Sequence, residues 1–228
     1  MATKQRQRQR QKQKQGPTHQ AISLKGSTEI VADFFKFAVN TILYQRGVYP
    51  SDDFHLVKKY GQVVMLTQDQ ALEIYLDKIL NQIQKWLLAG SITQLVLAII
   101  ARDTRITLER WVFDVHLQRG QNASEGEAPE GETEAEQTSS KPESQIQAEI
   151  RDILKQIVST VTFLPLVEEP TVFNILAYTS ESAEVPADEW VDTDPLAIEA
   201  GKSQQVKLRS FSTDMHRVEA MVAYRYEG

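Results

Sequence analysis

The segment from Gln94 to Ala101 is a near-continuous apolar run carrying Val96, Leu97, Ile99 and Ile100. Its short length and β-branched content predict a strand buried inside a sheet. Arg102 to Arg105 supply a polar turn containing Asp103. Beyond it Trp111, Phe113, Val115 and Leu117 alternate with Arg110, Asp114 and His116, interrupted at Val112. That alternation predicts a strand with one buried face. The two make an antiparallel hairpin, and every other element has to be placed around it.

Three amphipathic segments are predicted as helices. Ser27 stands as N-cap of the first, with Ile30, Val31, Phe34, Phe35, Ala38, Ile42 and Leu43 at helical spacing to about residue 45. Gly47 and Pro50 then stop it. Thr67 and Gln70 have capping-box spacing ahead of Leu72, Tyr75, Leu76, Ile79, Leu80, Ile83, Trp86 and Leu87, and Gly90 closes the stripe. This second helix is apolar over more than half its circumference and is expected at the centre of the fold. Ser144 and Gln147 open a third, whose inner side is Ile146, Ile150, Ile153, Leu154, Ile157, Val158 and Val161, ending by Pro165.

Val172 to Thr179 reads as a third strand. Residues 180–202 read as an acidic loop marked by Pro186 and Pro195, followed by strand-like runs from Val206 to Phe211 and from Val218 to Tyr226. The fold class is therefore α+β: three long helices on a mostly antiparallel sheet, with a C-terminal hairpin free to pair with either sheet edge. At 228 residues and 41% hydrophobic the chain has material for a sizeable core.

The net charge of -6 conceals a split. Residues 1–20 carry Lys4, Arg6, Arg8, Arg10, Lys12 and Lys14 and no acid, a local +6 that leaves -12 for the remainder. With almost no apolar content this segment is expected to be a disordered tail, serving as a nucleic-acid or nuclear-import tag or simply as a solubilising appendage. Residues 118–143 are rich in Glu, Gly, Ser and Pro without periodicity and are expected to be a disordered acidic loop. No apolar run is long enough to span a bilayer, and the N-terminus lacks the apolar stretch of a signal peptide.

Enzymatic machinery is not apparent. With no Cys, disulfides and thiolate chemistry are excluded. His19, His55, His116 and His216 are scattered, without metal-ligand spacing. There is no Gly-rich phosphate loop after a strand and no nucleophile elbow. Asp52-Asp53 and Glu168-Glu169 are sequence neighbours that do not converge on one substrate. No enzyme, cofactor or metal is expected. The feature left over is the long apolar C-terminal hairpin. Sheet edges must be covered, so an element that covers one edge or leaves it would make a peptide receptor by strand addition. A permanent terminal hairpin is the plainer reading.

Five blocks carry a resemblance. They are Tyr44-Gln45-Arg46-Gly47-Val48-Tyr49-Pro50, Leu108-Glu109-Arg110-Trp111-Val112-Phe113-Asp114, Thr160-Val161-Thr162-Phe163-Leu164-Pro165-Leu166, Val206-Lys207-Leu208-Arg209-Ser210-Phe211 and Met221-Val222-Ala223-Tyr224. In this order they resemble the HORMA domains of the spindle-assembly checkpoint family of mitotic arrest-deficient protein two, over residues 21–228 apart from most of 118–143. The resemblance implies a two-state switch. In the open state the C-terminal hairpin pairs with the edge strand matching Val172–Thr179. In the closed state it lies beside the strand matching Leu108–Leu117, and a partner peptide takes the vacated edge beneath a safety belt spanning 186–228.

Further expectations follow from the same resemblance. The peptide edge is Val172, Phe173, Ile175, Leu176 and Tyr178. The belt anchors are Val206, Leu208, Phe211, Val222 and Tyr224. An open–closed self-dimer uses Lys155 and Gln156, where Lys155 replaces the family's Arg and loses its planar fork. Leu24 helps set the conformer balance, while Arg46 and Glu109 are structural and pair across the helix–sheet layer. The implied partners are the coiled-coil kinetochore scaffold mitotic arrest-deficient protein one, the activator of the anaphase-promoting complex, and a AAA+ remodelling ATPase that engages the N-terminus. Both peptide partners carry a basic residue, apolar residues and a downstream Pro. The implied location is nucleus and kinetochore, also cytoplasm, with nuclear-envelope association; no membrane is crossed and no nucleic acid bound. A HORMA adaptor for a translesion polymerase or meiotic axis proteins, and a nucleic-acid-binding module acting through the basic tail, are the competing readings.

Overall fold

A computed structural model describes residues 22–118 and 141–226. The expected basic tail and nearly all of the expected acidic loop therefore lie outside the described residues. Helices α1 (Leu24–Gln45), α2 (Gln70–Ala89) and α3 (Glu143–Ser159) pack on one side of a five-stranded antiparallel sheet. Its strands are β3 (Ile92–Ala101), β4 (Thr107–Leu117), β5 (Thr171–Thr179), β6 (Ser203–Ser212) and β7 (His216–Arg225), in the order β5-β3-β4-β7-β6. A separate ribbon, β1 (Phe54–Lys59) with β2 (Gln62–Thr67), sits against α1.

The caps differ from expectation at all three helix starts. Helix α1 begins at Ser23, whose Oγ accepts the Gly26 N–H at 3.1 Å. Ser27 is inside the helix and fully buried. Helix α2 is capped by Asp69, whose carboxylate accepts the Leu72 N–H at 2.7 Å. Thr67 instead ends β2, and its hydroxyl accepts the Asp69 N–H. Helix α3 starts after Pro142 with no side-chain cap, and Ser144 and Gln147 both lie within it. Pro142 is extended there, and its carbonyl accepts the Gln145 and Ile146 N–H groups at 2.9 and 3.2 Å. The same helix ends at Ser159, before a 3-10 turn over Thr160–Thr162. Val158 and Val161, expected on its inner side, are 43% and 40% exposed. The expected stops at Gly47 and Gly90 do form, both in the left-handed region that glycine tolerates.

The central helix is α1, not α2. Twelve of its residues are buried against seven of α2, because α1 is enclosed by α2, α3, β2 and β7. Ile74, Tyr75 and Leu88 of α2 remain exposed. The wide apolar stripe of α2 therefore covers the flank rather than the middle. Phe34 of α1 meets Phe113 of β4 edge-on at 5.7 Å and Phe211 of β6 at 4.9 Å. These contacts tie the helix to both the fixed hairpin and the C-terminal one. Edge-to-face pairs of this kind add to the burial term.

The β1–β2 ribbon has no counterpart in the sequence reading. Its two-residue turn is Tyr60-Gly61, with φ of 51° and 69°. Both residues have positive φ, as the hairpin-forming type I′ turn requires. Tyr is an unusual first residue there, which hides the turn from composition rules. Its hydroxyl donates to Asp33 at 2.7 Å, and burial, helped by this contact, pushes the Tyr60 phenol far above its usual range.

Candidate peptide-binding edge

Strand β5 pairs with β3 along its length, and its other edge has no partner among the described residues. Backbone donors and acceptors on such an edge are a template for a further strand. The five expected edge residues divide between two faces, as strand geometry requires. Phe173 and Ile175 pack toward the helices with the main core. Phe173 meets Tyr49 at 6.1 Å and Tyr75 at 5.8 Å. Desolvation raises the phenol pKa of both tyrosines. Val172, Leu176 and Tyr178 belong to the opposite face by alternation, where Leu176 joins Val96 and Val112 in a second, smaller apolar cluster.

The chain leaving β5 circles this edge. The Trp86 indole of α2 donates to the Glu184 carbonyl at 2.9 Å, and Trp190 packs on the same ring at 4.8 Å. Glu189 pairs with Lys78 at 3.2 Å. Up to this point the segment is on the helix side. Six residues on, Leu196 packs into the outer-face cluster with Leu176 and Met221. Trp190 and Glu189 line a cavity of about 170 Å³ with Tyr75, Ile79 and Ile175 on the helix side, while Leu196 packs against the outer-face cluster that includes Leu176 of β5. A strand added to β5 would thus be enclosed. Leu196 holds a left-handed φ of 49°, a costly conformation for Leu that persists where surroundings enforce it. Nothing in its local sequence marks it out, and its role depends on the cluster that receives it.

The segment continues across the outer face to β6, and β7 pairs with β4 over Glu109–Leu117. Of the two edges open to it, the C-terminal hairpin therefore occupies the β4 side. The expected belt residues sit at this junction. Phe211 and Val222 are buried, Tyr224 nearly so, and Val206 and Leu208 pack partly against the main core. The Tyr224 hydroxyl donates to Gln204 at 2.7 Å. At the hairpin's far end the Ser27 hydroxyl lies 2.5 Å from that of Thr213 and 2.6 Å from His216 Nδ1. Burial pushes the His216 imidazole below its ordinary value, opposed by the nearby Leu87 carbonyl. That carbonyl is not in hydrogen-bond geometry, since Nε2 has no partner among the described residues.

The remaining expected residues are in different places. Lys155 is exposed on α3. Gln156 is not free: its Oε1 accepts the Arg209 N–H at 2.6 Å, where the β6–β7 register shifts. Leu24 is the first residue of α1 and half-buried. Arg46 and Glu109 do pair across the layer, with guanidinium Nε 2.7 Å from the carboxylate. Among the described residues no cluster of His, Cys, Asp or Glu could hold a metal, and no helix is long and apolar enough to cross a membrane.

Comparison with known proteins agrees with this geometry. The HORMA domain family model matches residues 27–216. The chain is 49% identical over 204 residues to a mitotic spindle assembly checkpoint protein MAD2A of Dictyostelium discoideum, covering 90% of this chain and 93% of the relative. It is 42% identical to the Homo sapiens protein of the same name, over 90% and 94% of the two chains. A chain in the crystal structure of a mitotic checkpoint complex superposes with a TM-score of 0.75 at 40% identity, covering 88% of this chain and 99% of that one. A free β5 edge, a segment passing around it and a hairpin docked on β4 thus occur in a chain that belongs to the HORMA domain family, within its MAD2 group of mitotic spindle assembly checkpoint proteins.

Proposed function

We propose that in the spindle checkpoint this chain captures a short partner segment as a sixth strand on β5 and holds it beneath residues 180–202. The observation that carries this reading is the unpaired β5 edge encircled between Trp190 and Leu196. Release then requires the crossing segment to lift, so the lifetime of the complex exceeds what contact area alone supplies. Between residues 180 and 201 the segment carries Glu181, Glu184, Asp188, Glu189, Asp192, Asp194 and Glu199 and no Lys or Arg. A basic residue on the captured strand is thereby favoured.

The partners we assign are the coiled-coil kinetochore scaffold and the activator of the anaphase-promoting complex, both as peptides of the basic–apolar–Pro pattern. The arrangement described is the closed state. The open state moves β6–β7 to β5, and the two conformers pair through the α3 surface at Lys155 and Gln156. Residues 1–20 serve as the handle for a AAA+ remodeller. The chain acts by binding, without catalysis or cofactor, in the nucleus, at kinetochores and in the cytoplasm, with nuclear-envelope association. The match of the mitotic checkpoint complex chain supports the partner assignment, and the 49% identity to a checkpoint relative weighs against the adaptor and nucleic-acid readings.

Two measurements test this. The full chain mixed with a labelled peptide of that pattern should shift in anion-exchange elution and release the peptide over hours after dilution. A scrambled peptide should do neither, and equal binding of both would refute strand capture. Replacing Leu196 with Ala removes the outer-face plug. Truncating a half-buried Leu costs about 1–2 kcal/mol, so peptide release should quicken roughly ten-fold. An unchanged release rate would show that Leu196 does not secure the crossing.

A further inference from the structure

In the turn joining β6 to β7, one carboxylate accepts from two separate parts of the body of the fold. Asp214 Oδ2 accepts the Ile22 N–H at 2.9 Å, and its Oδ1 accepts the Lys141 N–H at 3.1 Å. These two N–H groups come from separate parts of the chain, one just before α1 and the other just before α3. Lys141 then returns to the hairpin. Its Nζ donates to the Ser212 carbonyl at 2.9 Å and to the Ser212 hydroxyl at 3.0 Å, and pairs with Glu149 of α3 at 2.5 Å. Glu149 in turn accepts the Ser212 N–H at 3.3 Å. The Gln118 N–H donates to the Met215 carbonyl at 2.8 Å, so the end of β4 holds the same turn.

The turn's own geometry is set independently. The Thr213 N–H donates to the His216 carbonyl at 2.8 Å, and the Thr213 hydroxyl accepts the His216 N–H at 2.9 Å. Asp214 is thus not needed to shape the turn. Both of its oxygens are spent on the body instead. Hydrogen bonds to an ionised acceptor are about twice as strong as neutral ones, and each needs its donor within reach.

We propose that Asp214 is a positioning residue that latches the closed hairpin, and that it couples the N-terminal segment to the belt. The proposal rests on the strand-capture reading above. Apolar anchors such as Phe211 and Val222 favour burial wherever a sheet and helix receive them, since that term is non-directional. The carboxylate is different. It is satisfied by Ile22 and Lys141 only when the hairpin lies against β4. When the hairpin leaves, the Ile22 N–H loses its acceptor, one residue before the Ser23 cap of α1. Start of α1 and position of the hairpin are therefore linked through this side chain, beside the Ser27 contacts with Thr213 and His216.

The test uses the full chain and the labelled basic–apolar–Pro peptide. Asp214→Ala should release the peptide about 10- to 100-fold faster than the unaltered chain. Asp214→Asn keeps one acceptor oxygen and should fall between the two. Amide hydrogen exchange supplies the readout that general destabilisation would not reproduce. In Asp214→Ala the Ile22 and Lys141 amides should lose protection while the β3–β4 ladder keeps its own. If the unaltered chain releases peptide slowly and Asp214→Ala does so at the same rate, the latch is overturned and capture stands. Loss of β3–β4 protection together with the two amides also overturns it, because Asp214 would then be a general stability residue. Failure of the unaltered chain to retain peptide at all defeats strand capture and the latch with it.

Discussion

A chain ending at Val218 folds but no longer retains a partner peptide. Residues 219–228 include most of β7, which pairs with Glu109–Asp114 of β4 on one side and with β6 on the other. Among the described residues β6 pairs with the sheet through β7 alone, so without β7 it keeps its contacts with α1 and α3 but loses its place in the sheet. Val222 is fully buried and Tyr224 nearly so. Burial of each contributes about 1.5–3 kcal/mol, so losing both lowers affinity by roughly two to four decades, before the lost ladder is counted. The body has its own core in α1, α2, α3 and the β3–β4 hairpin. Thermal unfolding of the truncated chain should therefore remain cooperative. Equilibrium titration with the labelled peptide is the measurement, and capture with unaltered affinity would remove β6–β7 from the mechanism.

The second large effect lies at the other end of α1. Arg46 closes that helix, its N–H bonding back to the Ile42 carbonyl. Its guanidinium Nε and Nη2 reach Glu109 Oε1, and Nη2 also donates to the Pro165 carbonyl at 2.6 Å. The other carboxylate oxygen accepts the Trp111 indole N–H at 3.0 Å. Side-chain exposure is 5% for Arg46 and 3% for Glu109, so neither charge has water to fall back on. Glu109→Ala leaves the guanidinium buried and unpaired, a loss of about 3–5 kcal/mol. At about 2–4 °C per kcal/mol for a chain of this size, the melting temperature drops by about 6–20 °C. Replacing both partners by apolar residues should restore most of the loss, because it is the orphaned charge that costs. Urea unfolding of the single and double variants separates these outcomes, and a loss below about 1 kcal/mol for Glu109→Ala would show that the pair contributes little.

Elements were legible in the sequence where one local pattern repeats. The apolar run at Gln94–Ala101, the alternation at Trp111–Leu117 and the helical stripes each report a periodicity that burial imposes. The strand bounds differ from the observed ones by a few residues, as fraying ends allow. The misses share a cause. Ser27, Thr67 and Ser144 all have capping chemistry, but α1 and α2 are capped by Ser23 and Asp69, and α3 starts after Pro142 with no side-chain cap. Which of several nearby candidates caps a helix depends on where the preceding chain arrives. The rank of α1 over α2 was likewise invisible, because a wide stripe measures how much a helix can bury and not how many neighbours it meets. The Tyr60-Gly61 turn was missed because Asp33 and the packing around it hold Tyr60 in a conformation its type rarely adopts.

The same division runs through the site. The apolar content of Val172–Thr179 and of the two C-terminal runs was determined by residue type and spacing alone. The register of β7 on β4 and the passage of the chain from Trp190 to Leu196 were decided only by the tertiary structure. So were the positions of Leu196 and Asp214. A sheet has two edges of similar chemistry, and backbone hydrogen bonds differ little in energy between them. The C-terminal hairpin therefore suits both by its local pattern. What selects the β4 edge is the set of partners waiting there: Phe34 for Phe211, Ser27 for His216, and the Ile22 and Lys141 amides for Asp214. None is close to its partner in sequence, so only the assembled fold brings them together.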